Sequence, residues 1–288
     1  MSTFFLVETP RDAFQGIRGF IPTDEKIAHI RKLIAAGFHR IDFGSFVSPQ
    51  AVPQMQDSED VLKSIQDAAG LYLIVIIANE RGLQRALAAG RVNAVGFPFS
   101  ISNTFQLRNT HRSIEDTWPL MTRLAEQCRA SGLDFIIYVS MAFGNPYADP
   151  WSAGDVVEFL RKLGDAGAKI VYLADTTSEA TAARIRSLVT RCRSEFPDLE
   201  LGVHLHSDPA GWTEKLAAAL DAGISRVDSA MAGMGGCPFA RSGLVGNIPT
   251  EGVVSLLQSR GISLAIDPAA LQDCVRSARR IMERYGHG

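Results

Sequence analysis

Ala166-Gly167-Ala168-Lys169-Ile170-Val171-Tyr172-Leu173-Ala174-Asp175 reads as the end of a helix, a glycine stop and a short strand closed by a carboxylate. Glycine there supplies the left-handed residue that ends a helix without a side-chain clash. The same stop recurs at Ala36-Gly37, Ala89-Gly90 and Ala222-Gly223, each a few residues ahead of another apolar run. A helix-stop-strand unit copied along a chain is the mark of one αβ building block repeated around a ring.

Working outward from that unit, strands are predicted at residues 3–7, 40–43, 71–77, 94–97, 135–139, 170–174, 201–205 and 226–229, with helical patterns between them. Strands alternating with helices argue for parallel strands joined by crossovers. Eight such units favour an α/β fold of the closed (β/α)8 TIM barrel type over an open doubly wound sheet. No early strand carries GxGxxG, so a dinucleotide-binding sheet loses its main support. Residues 267–285 read as an extra C-terminal helix, with Asp267 as its cap and Pro268 in its first turn. A chain of 288 residues, 46% hydrophobic and 21% charged, can bury one large core, and a single barrel domain over 1–288 is expected.

A net charge of −2 without a run of Lys or Arg gives no electrostatic footprint for nucleic acid or anionic lipid. The expected partner is a small molecule, and a homo-oligomer, dimer or tetramer, is expected. The first residues lack a basic segment followed by an apolar signal core, and the longest apolar run, 71–78, falls well short of the ~20 residues of a membrane helix. A soluble cytoplasmic protein is expected. The cysteines at 128, 192, 237 and 274 show no CxxC spacing, which argues against a disulfide framework or a cysteine zinc site. Cys128, Cys192 and Cys274 fall in helical patterns and read as buried small hydrophobes. Cys237 stands apart, in Gly233-Met234-Gly235-Gly236-Cys237-Pro238.

In a barrel the chemistry sits at the carboxyl ends of the strands. There the first strand runs into Pro10-Arg11-Asp12, the second carries Asp42, the sixth is followed by Asp175, and the seventh carries His204 and His206. The glycine-rich loop and Gly246-Asn247 follow the eighth. A lone strand-end Asp is more often a cap or turn residue, and Arg11 could close a structural salt bridge. The histidine pair is the stronger signal, because strand side chains alternate and both imidazoles face one way. With Asp12 and the Asn247 amide they form a mixed oxygen and nitrogen set suited to Mg²⁺ or Mn²⁺, with Zn²⁺ a lesser alternative.

Thr9-Pro10-Arg11-Asp12, Ser45-Phe46-Val47-Ser48-Pro49 with Val52-Pro53-Gln54-Met55, His204-Leu205-His206 and Gly233 to Pro238 together resemble the hydroxymethylglutaryl-CoA lyases, in the same order and over nearly the whole chain. The resemblance implies that Asp12, His204, His206 and Asn247 ligate a divalent metal, that Arg11 steadies a developing enolate and that Cys237 is an acid/base. It implies retro-Claisen cleavage of a 3-hydroxyacyl-CoA to acetyl-CoA and an oxo acid. Asp42 is expected to orient or deprotonate the substrate hydroxyl, with Asp175 as the neighbouring alternative. The chemistry is coherent: a guanidinium beside the metal stabilises charge that builds only in the transition state, and a thiol of free pKa about 8.5 can lend a proton near neutrality.

The sequence departs from the family at Asp42, where a glutamate is usual, and at Ala13-Phe14-Gln15-Gly16-Ile17, where Gly-Leu-Gln-Asn-Glu is usual. Ser207-Asp208-Pro209-Ala210-Gly211 replaces Asp-Thr-Tyr-Gly, and the stretch from Cys237 to Asn247 is one residue longer than expected. These changes ring the acyl pocket, so a related branched 3-hydroxyacyl-CoA is a live alternative to 3-hydroxy-3-methylglutaryl-CoA. A Claisen-type condensing enzyme would carry glutamate at Phe14 and a long C-terminal regulatory region. A pyruvate-type aldolase and a catalytically silent barrel are the remaining rivals.

Overall fold

The four Ala-Gly stops do what their sequence requires. Gly37, Gly90, Gly167 and Gly223 stand at φ 101°, 67°, 87° and 90°, each leading the chain from a helix into a strand. The computed structural model describes residues 4–66, 68–236 and 245–286. Its barrel strands are β1 (Phe5–Glu8), β2 (Arg40–Ser45), β3 (Tyr72–Ile76), β4 (Ala94–Ser100), β5 (Asp134–Ser140), β6 (Ile170–Asp175), β7 (Glu200–Ser207) and β8 (Arg226–Ser229). Each pairs in parallel with the next, and β8 pairs with β1 to close the barrel.

The predicted strands are all present, and most run further than their apolar residues alone suggest. Ladder pairing carries β4 and β5 together out to Ser100 and Ser140, because parallel hydrogen bonding does not require an apolar side chain at every position. β1 ends one residue later than expected, at Glu8, and Thr3 lies outside the described residues. The C-terminal helix Pro268–Tyr285 begins as predicted, with the Ala270 amide donating to Asp267 Oδ1 at 2.7 Å.

Strand alternation sorts the apolar residues into two cores. Val7, Ile74, Ile76, Ala94, Ile136, Tyr138, Ile170 and Tyr172 fill the barrel interior, while the alternate positions pack outward against the helices. Glycine makes room for the tyrosines. A Cβ on Gly96 would lie 2.8 Å from the Tyr138 ring, and one on Gly202 would lie 2.6 Å from the Tyr172 ring. Phe5, with Arg40 and Arg226 against it, closes the N-terminal end. Buried polar groups gather at the other end, where the strands run out. No described helix is long and apolar enough to cross a membrane.

Candidate metal centre and active site

Arg11 and Asp12 lie in a short helix, Pro10–Gln15, that Pro10 opens directly after β1. Both side chains turn inward and are buried. Arg11 Nη1 donates to Asp12 Oδ1 at 2.6 Å and to Gln15 Oε1 at 3.2 Å. Its Nε and Nη2 donate to Asp42 Oδ2 at 2.9 and 2.6 Å. The guanidinium therefore does close a salt bridge, and one Nη2 hydrogen remains uncommitted among the described residues. Burial opposes the Arg11 charge, but Asp42 and Asp12 outweigh it and hold the group protonated. Burial likewise opposes the Asp12 charge, yet Arg11, His204 and His206 keep its carboxyl well below the usual carboxylate range.

Alternation along β7 sends Leu205 into the outer core and turns His204 and His206 toward Asp12. The two Nε2 atoms are 3.1 Å apart, and His204 Nε2 is 3.9 Å from Asp12 Oδ2. One ligand atom from each of Asp12, His204 and His206 lies within 4.8 Å of the others. His204 Nδ1 donates to the Asp228 carboxylate at 3.0 Å, so that in the neutral ring the lone pair is on Nε2. Burial works against a charged His204, but Asp228 and Asp12 raise it above its ordinary value. Burial and the neighbouring His204 push His206 down to about 4, so it is neutral near neutrality and able to ligate.

Asn247 reaches the cluster by a route the sequence does not announce. A two-residue strand, β9 (Gly246–Asn247), pairs antiparallel with the end of β7 and sets Asn247 in register with His206. Asn247 Nδ2 donates to Asp12 Oδ2 at 2.8 Å and to Met234 O at 2.9 Å, which ties the amide to the carboxylate of the cluster. Gly235, at φ 87°, lets the two legs meet: a Cβ there would lie 2.7 Å from Asp12 O and 2.8 Å from Asn247 Nδ2. Beneath the legs, buried Glu8 accepts from the Met231 amide at 2.9 Å and from Thr250 Oγ1.

Asp42 is fully buried and precedes a bulge in β2, where the register with β3 shifts between Asp42 and Gly44. Its Oδ2 is bound by Arg11, and its Oδ1 has no hydrogen-bond partner among the described residues. Burial raises its carboxyl to about 6 despite Arg11. Asp228 on β8 is raised by the same cause, and Tyr138 on β5, raised by burial and by both carboxylates, stands with its ring 5.9 Å from that of His204. An ionised carboxylate and two imidazole nitrogens within 4.8 Å of one another form a set that fits a divalent cation, and a buried carboxylate oxygen without a partner fits a substrate hydroxyl.

Comparison with known proteins agrees with this geometry. The HMGL-like family model matches residues 4–277. The chain belongs to the HMGL-like family. It is 36% identical over 258 residues to mouse mitochondrial hydroxymethylglutaryl-CoA lyase, covering 90% of this chain and 79% of the mouse protein. The crystal structure of the Brucella melitensis HMG-CoA lyase superposes with a TM-score of 0.92 at 28% identity, covering 98% of this chain and all of that one. An HMG-CoA lyase from Acinetobacter baumannii, solved with coenzyme A and 3-methylmalate, superposes at 0.89 with 32% identity over 99% of this chain and 92% of that one.

In this HMGL-like protein the structure does not bring every expected residue to the centre. Asp175 ends β6 but is turned to Lys215, whose Nζ donates to its Oδ2 at 2.7 Å, while the Ala180 amide donates to Oδ1 at 3.1 Å. Cys237 lies outside the described residues. Cys128, Cys192 and Cys274 are buried in helices, and burial pushes each thiol up to about 12, so they are inert near neutrality. Sequence reasoning missed Asp228, Tyr138 and Lys215. The signal for Asp228 was a carboxylate in mid-strand on the inward alternation, which a barrel interior tolerates only with a partner.

Proposed function

We propose that this chain is a divalent-metal-dependent carbon–carbon lyase of the hydroxymethylglutaryl-CoA lyase type, cleaving 3-hydroxy-3-methylglutaryl-CoA, or a close branched 3-hydroxyacyl-CoA, to acetyl-CoA and an oxo acid. The observation that carries the reading is the junction of Asp12, His204 and His206 with the Arg11–Asp42 pair at one barrel mouth. Asp12, His204, His206 and Asn247 Oδ1 would hold Mg²⁺ or Mn²⁺, which supplies Lewis-acid pull on the substrate's oxygens.

The residues divide the work. Asp42 Oδ1, partner-free and near pKa 6, takes the proton from the tertiary hydroxyl. As that oxygen becomes a ketone, the bond between the hydroxyl-bearing carbon and the thioester's α-carbon breaks, and the electron pair moves into the thioester as an enolate. The remaining Arg11 Nη2 hydrogen stabilises this charge, which exists only after the bond begins to part. Burial of the whole group excludes water that would protonate the enolate at random. Cys237 is the proposed donor of the proton that completes acetyl-CoA. Asp42 rather than Asp175 takes the base role, because Asp175 is committed to Lys215.

The experiment is acetyl-CoA release from a panel of 3-hydroxy-3-alkylglutaryl-CoA and malyl-CoA esters, with free oxo-acid aldols as thioester-free controls. Release from a branched 3-hydroxyacyl-CoA alone is expected. Cleavage of the thioester-free compounds at comparable kcat/KM would replace the reading with an aldolase.

A further inference from the structure

The first turn of the helix Trp212–Asp221 sends Lys215 back against the ends of β6 and β7. Its ammonium has three hydrogens and uses each once: Asp175 Oδ2 at 2.7 Å, Ser178 Oγ at 2.8 Å and the His206 backbone oxygen at 3.0 Å. Lys215 is 7% exposed and Asp175 1%, so water offsets neither charge and each depends on the other. Ser178 stands at φ 62°, a left-handed backbone that a side chain disfavours, and the bond from Lys215 holds it there. The carbonyl that Lys215 grips belongs to the residue whose imidazole joins Asp12 and His204, and which is also the register partner of Asn247. One ammonium therefore ties the loop after β6 to the peptide that carries a ligand.

We propose that Lys215 is a positioning residue for the metal centre, holding the His206 backbone so that its imidazole stays within reach of Asp12 and His204; this rests on the metal-dependent lyase reading above. Ligands fixed in place by such outer contacts bind a cation without first reorganising. Asp175 then serves Lys215 and the loop, not the substrate hydroxyl. The competing role is charge compensation alone, in which Lys215 is present only to neutralise a buried carboxylate.

Three variants of the full chain separate these roles: Lys215→Met, Asp175→Asn and the double variant. The readouts are Mn²⁺ affinity of the metal-stripped protein, from the spin-resonance signal of free Mn²⁺, together with thermal midpoint and kcat. Lys215→Met leaves Asp175 buried and unpaired, so it should lose midpoint as well as affinity. Asp175→Asn keeps the bond to His206 O and should bind Mn²⁺ within about threefold of wild type. The double variant removes both charges, should recover most of the midpoint, and should still bind Mn²⁺ about tenfold or more weakly than Asp175→Asn, with kcat reduced in step. A double variant that binds Mn²⁺ as tightly as Asp175→Asn would overturn the proposal in favour of charge compensation. Asp175→Asn with normal affinity but a 10²-fold loss of kcat would return Asp175 to the chemistry. A wild-type protein that binds no Mn²⁺ would sink the metal reading itself, and this proposal with it.

Discussion

At the N-terminal end of the barrel, Arg40 lies 4.0 Å from the Phe5 ring centroid and 4.3 Å from that of Tyr72, while Arg226 lies 4.4 Å from Phe5 and is paired with Glu200. Tyr72 OH donates to Asp134 beside them. At the C-terminal end the same kinds of side chain meet with less in balance. Asp12, Asp42 and Asp228 crowd against Arg11 and His204, one Asp42 oxygen has no partner, and carboxyls are moved in opposite directions from their ordinary values. Arginine and carboxylate close the barrel at one end and prepare for charge to develop at the other. What separates the two ends is which buried groups are left without a partner among the described residues, a Tyr172 hydroxyl near Arg226 at one and carboxylate oxygens of Asp42 and Asp228 at the other, and a buried carboxylate oxygen left so marks a functional site.

That contrast can be broken most sharply at Asp42. Asp42→Asn should lower kcat by about 10²- to 10⁴-fold while the circular dichroism spectrum is unchanged. In the wild type, the base must be ionised, so kcat should fall as pH drops through about 6. Stability should run the other way. The folded carboxyl is raised above its unfolded value of 3.8, so its favourable contribution is present below that value and is lost as pH rises through about 6. Asp42→Asn should therefore match or exceed the wild-type thermal midpoint at pH 8. A variant both inactive and strongly destabilised there would make Asp42 a structural anchor for Arg11.

A smaller effect is expected one bond removed from the cation. Asp228→Asn replaces the acceptor that fixes the His204 tautomer, and Mn²⁺ affinity should weaken about 10- to 100-fold, with kcat recovering at saturating metal. Unchanged affinity would mean that the His204–Asp228 bond does not govern ligation. The smallest catalytic effect belongs at the other end of the barrel. Arg226→Met should cost about 1–2 kcal/mol of stability through the lost contact with Phe5, while kcat/KM stays within about twofold of wild type. A large catalytic loss there would show that the two ends are coupled.

The residues that could be read in advance are those whose meaning is local. An Ala-Gly stop constrains its own backbone, and two histidines separated by one residue must face one way on any strand, so the ring of strands and the His204–His206 pair follow from spacing. Arg11 and Asp12 were legible as neighbours at a strand end. Asn247 was legible as a candidate, but its approach through a strand paired to β7 depends on a long-range register that no local pattern encodes. Asp42 and Asp175 look alike in sequence, each a carboxylate at the end of a strand. Their distant partners distinguish them, Arg11 for Asp42 and Lys215, 40 positions beyond, for Asp175. Asp228 was passed over because a strand-centre Asp acquires meaning only from the histidine opposite, 24 positions earlier.

If a divalent cation held by Asp12, His204 and His206 drives this reaction, titrating metal back into stripped protein restores it. Protein freed of metal by chelation should release no acetyl-CoA from 3-hydroxy-3-methylglutaryl-CoA. Activity should then rise in proportion to the occupancy of one Mn²⁺ site per chain, and the same titration of His206→Ala should show neither tight occupancy nor turnover. Full turnover by a verified metal-free sample, or undiminished Mn²⁺-dependent turnover by His206→Ala, would show that no cation at these residues takes part.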